Sequence, residues 1–492
     1  MLKELKTLGK HSSIYGISNI LRKVIGFLMI PIYTAYLVPS DYGMIELLDL
    51  TLEVIAMLVG LRLGSAVVRF HHHYTRPEDK DEVFTTSLIF MTLLSVTVLV
   101  VLQFFGQEIT LLVSGELKYF KAFQIVFICF ALQNIYLISE TYLIIHKRSV
   151  LYSVLSLIML FLGLTLNILF IVYFKMGFYG IIYSMLIVKS INFLLVVPIT
   201  LKNMPLKFST HKLRQMVVFS LPLIPASIGL FILHFSDRFF VQKFCNLDEL
   251  GLYALGYKFA TILSVLISTP FFRVWNTQRF EIAAKQEGKS IFSKVLTYYT
   301  LVTVFLGLGI SIFIDEAIQL VATSSYQGAK SVVPLVVLGY LFFGLVHFFN
   351  FGIHYKMKTK YLMYIQLIIA CLNIAFNFIF ISRFGIMGAA FSTFLSYFCL
   401  CMITFHISQK LYFISFEYNR LALLFLTGGL LFFVSFFIQS ELIYALILKS
   451  ILLMCFPLIL LVLGFFTKEE KMFIKQTHKT LIAKIKYNSI SS

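Results

Sequence analysis

Apolar runs of about 20 residues recur along the chain from Ser12 almost to Thr467, separated by short polar breaks. A helix of that length covers about 30 Å of hydrocarbon, so each run is predicted to span a membrane. The segments are 12–36, 42–68, 84–105, 119–146, 150–174, 177–201 and 215–241, then 249–274, 292–316, 331–355, 361–382, 386–408, 420–438 and 442–466. The stretches between them are too short for a soluble catalytic domain. The pattern predicts an all-α polytopic membrane protein of about fourteen helices.

Composition agrees. Hydrophobic residues make up 59% of the 492 positions and charged residues 13%, against roughly 25% charged in soluble domains. The formal net charge is +18. Most of the 41 Lys and Arg fall in alternate loops, which by the positive-inside rule are cytoplasmic together with both termini. The excess charge therefore reflects topology, and nucleic acid is not an expected partner. The first segment follows Lys3, Lys6 and Lys10 but is too long for a signal peptide, carries Arg22 and Lys23, and lacks a small-residue cleavage site, so it is expected to stay as helix 1. The six cysteines show no zinc or redox spacing, and His71–His73 read as a solvated basic helix end, so no metal and no cofactor are expected. The tail 468–492 mixes six lysines with apolar residues, as an interfacial basic helix would.

The chain repeats itself. Asp41–Leu58 lies over Glu249–Leu266 without a gap, placing Gly43 on Gly251 and Leu47 on Leu255. At the same offset of 208 residues, Lys175, Gly177, Gly180 and Ser184 fall on Arg383, Gly385, Gly388 and Ser392; Asn167 meets Asn377 once a two-residue gap is allowed. The offset spans an even number of predicted helices, so the copies enter the membrane in the same direction. Two parallel six-helix bundles follow, 1–208 and 209–412, with two appended helices in 413–467.

Charged groups are costly in hydrocarbon, so those inside the segments should face a cavity or one another. At 100° per residue, Tyr15, Asn19, Arg22, Gly26 and Tyr33 share one face of segment 1, and Glu46, Asp49 and Glu53 share one face of segment 2. Glu140 lies with Gln133 and Tyr136 on segment 4. In the second copy the stripes are Ser227, His234 and Arg238 with Asp237 at the edge, then Tyr253, Tyr257 and Thr261 beside Lys258, and Tyr340, His347, Asn350 and His354. These are equivalent triplets of helices, which suggests a shared central cleft. Its candidate substrate-binding residues are Asn19, Arg22, His234, Arg238, Tyr257, Lys258 and His347. The cations suit a phosphate or pyrophosphate. The carboxylates Glu46, Asp49, Glu53, Glu140 and Asp237 either balance those cations or bind a coupling H+ or Na+.

The motifs Gly9-Lys-His-Ser-Ser-Ile-Tyr-Gly-Ile-Ser-Asn19, Gly26-Phe-Leu-Met-Ile-Pro-Ile-Tyr33, Asp41-Tyr-Gly43, Leu221-Pro-Leu-Ile-Pro225, Ser236-Asp-Arg238 and Leu250-Gly-Leu-Tyr253 resemble those of bacterial polysaccharide repeat-unit flippases. These belong to the multidrug/oligosaccharidyl-lipid/polysaccharide exporter superfamily. The resemblance implies a V-shaped fold with a central cleft in the bacterial inner membrane. It also implies transfer of undecaprenyl-pyrophosphate-linked oligosaccharide to the periplasmic leaflet for O-antigen or capsule synthesis. Membrane lipids and the polymerase and chain-length machinery would be its partners. Asp237 and Arg238 match the family's Ser-Asp-Arg pattern. A lipid II flippase, a cation-coupled drug exporter and a membrane polymerase or ligase are the alternatives. Short outer loops place the enzyme last.

Overall fold

The computed structural model describes residues 25–60, 63–202, 204–438, 440–467, 470 and 472. Eighteen α-helices and no strand occur among the described residues. In the first half they are α1 (Ile30–Tyr36), α2 (Pro39–Val59), α3 (Leu63–His73), α4 (Pro77–Phe104), α5 (Gly106–Ser114), α6 (Phe120–Ile145), α7 (Ser149–Ile168) and α8 (Phe178–Leu201). The second half holds α9 (Thr210–Ser220), α10 (Leu223–Phe244), α11 (Leu247–Leu263), α12 (Thr269–Ala283), α13 (Gly288–Ile312), α14 (Ile314–Val321), α15 (Val333–Tyr355) and α16 (Lys360–Leu411). The appended helices are α17 (Tyr418–Ser435) and α18 (Leu442–Val462).

Ten helices among the described residues are long and apolar enough to cross a membrane. One of them, α16, is 52 residues long and breaks at Gly385. Its arms fold against each other, since Asn373 Nδ2 donates to Ser396 Oγ at 3.0 Å and Ser392 Oγ donates to Asn377 Oδ1 at 2.6 Å. The polar α2 falls outside that set of ten. Most of predicted helix 1 lies outside the described residues, as does most of the basic tail. Large apolar side chains such as Leu93, Val100, Phe161, Leu426 and Leu458 stand exposed on the outside, as surfaces solvated by lipid do.

The repeat reappears in backbone conformation. Gly177 has φ 58°, ψ −143° and Gly385 has φ 55°, ψ −136°, a left-handed geometry that only glycine adopts cheaply. Lys147 and Met357 both have positive φ, 55° and 54°, and both close the preceding helix with the same pair of carbonyl contacts. Those two positions are offset by two residues more than the glycines, the gap needed to align Asn167 with Asn377.

The two copies meet where α2 crosses α11. Pro39 opens α2, with Asp41 in its first turn, while Asn246 caps α11 by accepting from Glu249 N at 2.8 Å. A Cβ on Gly43 would overlap the Leu247 carbonyl oxygen, and one on Gly251 would overlap that of Pro39. Ser40 N also donates to Asp248 Oδ1 at 3.0 Å. This end is therefore shut by direct backbone packing. Toward the other end α12 packs on α13 and α15 of its own half, whereas α3 packs on α4 and α6 of the first half and on α9 of the second.

Candidate functional site

Below the crossing, a cavity of about 260 Å³ opens between α2, α10, α11 and α15. Arg238, Lys258, His234, Tyr257 and Glu46, all expected in the cleft, line it together. Arg238 is 2% exposed, with its Nη1 and Nε both engaged. Its Nη1 donates to Asp237 Oδ1 at 2.8 Å and to the His234 carbonyl at 2.7 Å, and its Nε donates to Glu46 Oε1 at 3.2 Å. The guanidinium carbon lies 4.0 Å from the centre of the Tyr257 ring, adding cation–π attraction.

The two carboxylates are held differently. Asp237 is buried and saturated: Tyr253 Oη donates to Oδ2 at 2.5 Å, Thr393 Oγ1 at 3.2 Å, and Oδ1 accepts the Arg238 amide at 3.0 Å. Glu46 keeps 30% of its side chain exposed toward the cavity. Lys258 Nζ donates to Tyr42 Oη at 2.9 Å. Both second-half cations thus reach across to α2 of the first half, and Arg238, Lys258, Glu46 and Asp237 balance in formal charge.

The polar face of α2 continues through Asp49 and Glu53, both accessible. Asp49 interacts electrostatically with Glu46, Glu53, Lys189 and Lys258. Lys189 of α8 donates to Gln133 Oε1 of α6, and Glu140 lies half-buried farther along α6. His347 is not brought to the cavity. Its ring packs on Phe272 at 4.5 Å and on Phe343 at 5.3 Å, and Phe343 separates it from His234. Asn19 and Arg22 lie outside the described residues.

Several site residues were not singled out from the sequence. Tyr42 is 7% exposed and holds Lys258; Tyr397 is fully buried and its Oη lies 2.6 Å from His234 Nδ1; Thr393 holds Asp237. Behind them, Asn377 Nδ2 donates to Ser236 Oγ and Asn373 Oδ1, tying α10 to the first arm of α16, while its Oδ1 accepts from Ser392 Oγ of the second. Tyr42 belongs to the Asp41-Tyr-Gly43 motif, but its repeat partner Leu250 is apolar, so the comparison of copies concealed it.

Residues 8–276 match the model of the family described as "Polysaccharide biosynthesis protein". No curated protein matches the chain in sequence. Among solved structures, the lipid II flippase MurJ in an inward closed conformation shares 15% identity over 90% of this chain and 97% of its own, with a TM-score of 0.73. A multidrug resistance MATE family transporter of the MOP superfamily, in an inward-facing conformation, shares 13% identity over 82% and 95%, with a TM-score of 0.64. An outward-facing conformation of such a transporter gives 13%, 84% and 96%, with a TM-score of 0.54. The fold is that of these membrane transporters.

Proposed function

This chain belongs to the polysaccharide biosynthesis protein family, and from that premise we propose that it flips a pyrophosphate-linked oligosaccharide lipid from the cytoplasmic to the periplasmic leaflet. The substrate we infer is an undecaprenyl-pyrophosphate-linked repeat unit of O-antigen or capsule. The observation that carries the reading is the cavity between α2 and α11, where two cations are balanced by one fixed and one exposed carboxylate.

The geometry supports an exchange. Asp237, held by three donors, stays on Arg238 throughout. Glu46 is the partner that an entering pyrophosphate displaces, so the headgroup gains Arg238 Nε while Lys258 adds a second charge. Binding energy arises only from the difference between substrate and Glu46 as acceptors, which keeps the headgroup releasable. The displaced Glu46, with Asp49 and Glu53 below it, is the place to take up a coupling H+ or Na+. Two six-helix lobes, 1–208 and 209–412, would rock about the α2–α11 crossing, with both termini in the cytoplasm.

Reconstitution in liposomes with a pyrophosphate-linked oligosaccharide lipid tests this. Protein-dependent exposure of the sugar to an external lectin is expected, with Arg238→Gln slower than wild type. Equal exposure with and without protein rejects the reading. A lipid II arm and a cationic drug arm in the same assay separate the alternatives, and two cations in the cavity disfavour a cationic drug.

A further inference from the structure

A second polar cavity, of about 390 Å³, lies far from the central one, between the first turns of α13 and the segment joining α16 to α17. Lys289, Ser290, Ser293 and Lys294 line it from α13. Residues 290, 293 and 294 occupy one face by helical spacing. No side chain caps the start of α13, so its first amides keep their donor capacity and the helix presents its positive end there.

Ser293 supplies the independent sign of a ligand. It is 4% exposed and lines the cavity, yet its Oγ has no hydrogen-bond partner among the described residues. Glu417 also lines the cavity, but its oxygens are occupied: Arg420 Nη1 donates to both at 3.0 Å and Thr297 Oγ1 donates to Oε2 at 2.6 Å. What remains available is two ammonium groups, the hydroxyls of Ser290, Ser293 and Ser415, and a helix N-terminus, the donor set of a tetrahedral oxyanion. Phe413, 63% exposed, stands at the rim, an apolar group beside a polar pocket at the end of a membrane helix.

We propose that this cavity binds the phosphate group of an anionic phospholipid, with Lys289 and Lys294 flanking it, Ser293 donating from below, and Phe413 meeting the glycerol and acyl region. Basic pockets between membrane helices recognise headgroups by the same chemistry. The site is independent of the transported substrate.

The full chain in detergent, titrated with phosphatidylglycerol or phosphatidylcholine and read by native mass spectrometry, provides the test. Wild type is expected to hold one phosphatidylglycerol more tightly than phosphatidylcholine. The double variant Lys289→Gln/Lys294→Gln should weaken it at least about tenfold, the equivalent of one charge-assisted contact, and Ser293→Ala by a smaller factor. Lys356→Gln/Lys358→Gln, which removes two exposed lysines from another loop, should leave it unchanged. Equal affinity in wild type and the double variant, or an equal loss in the loop control, overturns the site. Displacement of the lipid by millimolar inorganic phosphate reassigns it to a soluble phosphate compound and overturns the lipid part.

Discussion

Two buried cations in this molecule are paired in opposite ways. Lys449 of α18 is 7% exposed and meets one carboxylate, Glu316 of α14, at 2.5 Å; Glu316 is itself 4% exposed, and its Oε2 has no partner among the described residues. Arg238 is equally buried but divides its donors between a saturated Asp237 and a Glu46 that faces open space. A closed pair can only hold helices together. A pair with one accessible member beside a cavity can trade that member for a ligand.

Breaking the closed pair should give the largest effect. Lys449→Met strands Glu316 in a buried site and is expected to cost about 3 to 5 kcal/mol, read as a lower melting temperature in detergent. Lys449→Met with Glu316→Leu should recover most of that loss and leave transport intact. A single variant as stable as wild type would show that the pair is not closed. Next comes Arg238→Gln, which removes a charge-assisted contact of roughly 1.5 to 3 kcal/mol. Binding of a pyrophosphate lipid by correctly inserted protein should fall about ten- to hundredfold, with Arg238→Lys between, because it keeps the charge without the planar fork.

Glu46→Gln sharpens the comparison because its sign is opposite. Removing the displaceable competitor should tighten binding, by less than about tenfold, while melting changes little. Weaker binding would mean that Glu46 contacts the ligand itself. The smallest effect belongs to a third pair, near the surface, where Arg420 Nη2 donates to Glu470 Oε2 at 3.0 Å. Burial raises the Glu470 pKa, but Tyr298, the Thr467 amide and Arg420 together hold it below the usual glutamate value. Its contribution is therefore complete above about pH 4.3 and lost as pH falls through the lowered value. Melting curves of wild type and Glu470→Gln should differ by under about 1 kcal/mol at pH 7 and converge in acid.

Much of this was legible in the sequence. Gly177 and Gly385 announced the repeat because a left-handed backbone tolerates little else, and the stripes of α2, α10 and α11 showed which faces turn inward because uncompensated charge in lipid is costly. Pairing was not legible. Glu316 and Lys449 are 133 residues apart and share no period, so nothing along the sequence pairs them. His347 shares an angular face with Tyr340, but seven residues carry it about 10 Å along the axis, and a projection down the helix hides that height. Tyr397 and Thr393 share one face of the second arm of α16 with Thr404 and Ser408, but that face carries no charge to mark it.

The crossing of α2 and α11 has a consequence for symmetry. Gly43 touches Leu247 and Gly251 touches Pro39, and each contact turns into the other when the repeat offset is applied. Such reciprocity is the signature of an isologous two-fold interface between identical subunits. The chain carries at this point a contact with the local symmetry of a two-fold dimer, built within a single polypeptide. Backbone lying on backbone leaves no room for a larger residue at either glycine, and beside that contact Arg238 and Lys258 come from the second half while the Glu46 and Tyr42 they hold come from the first.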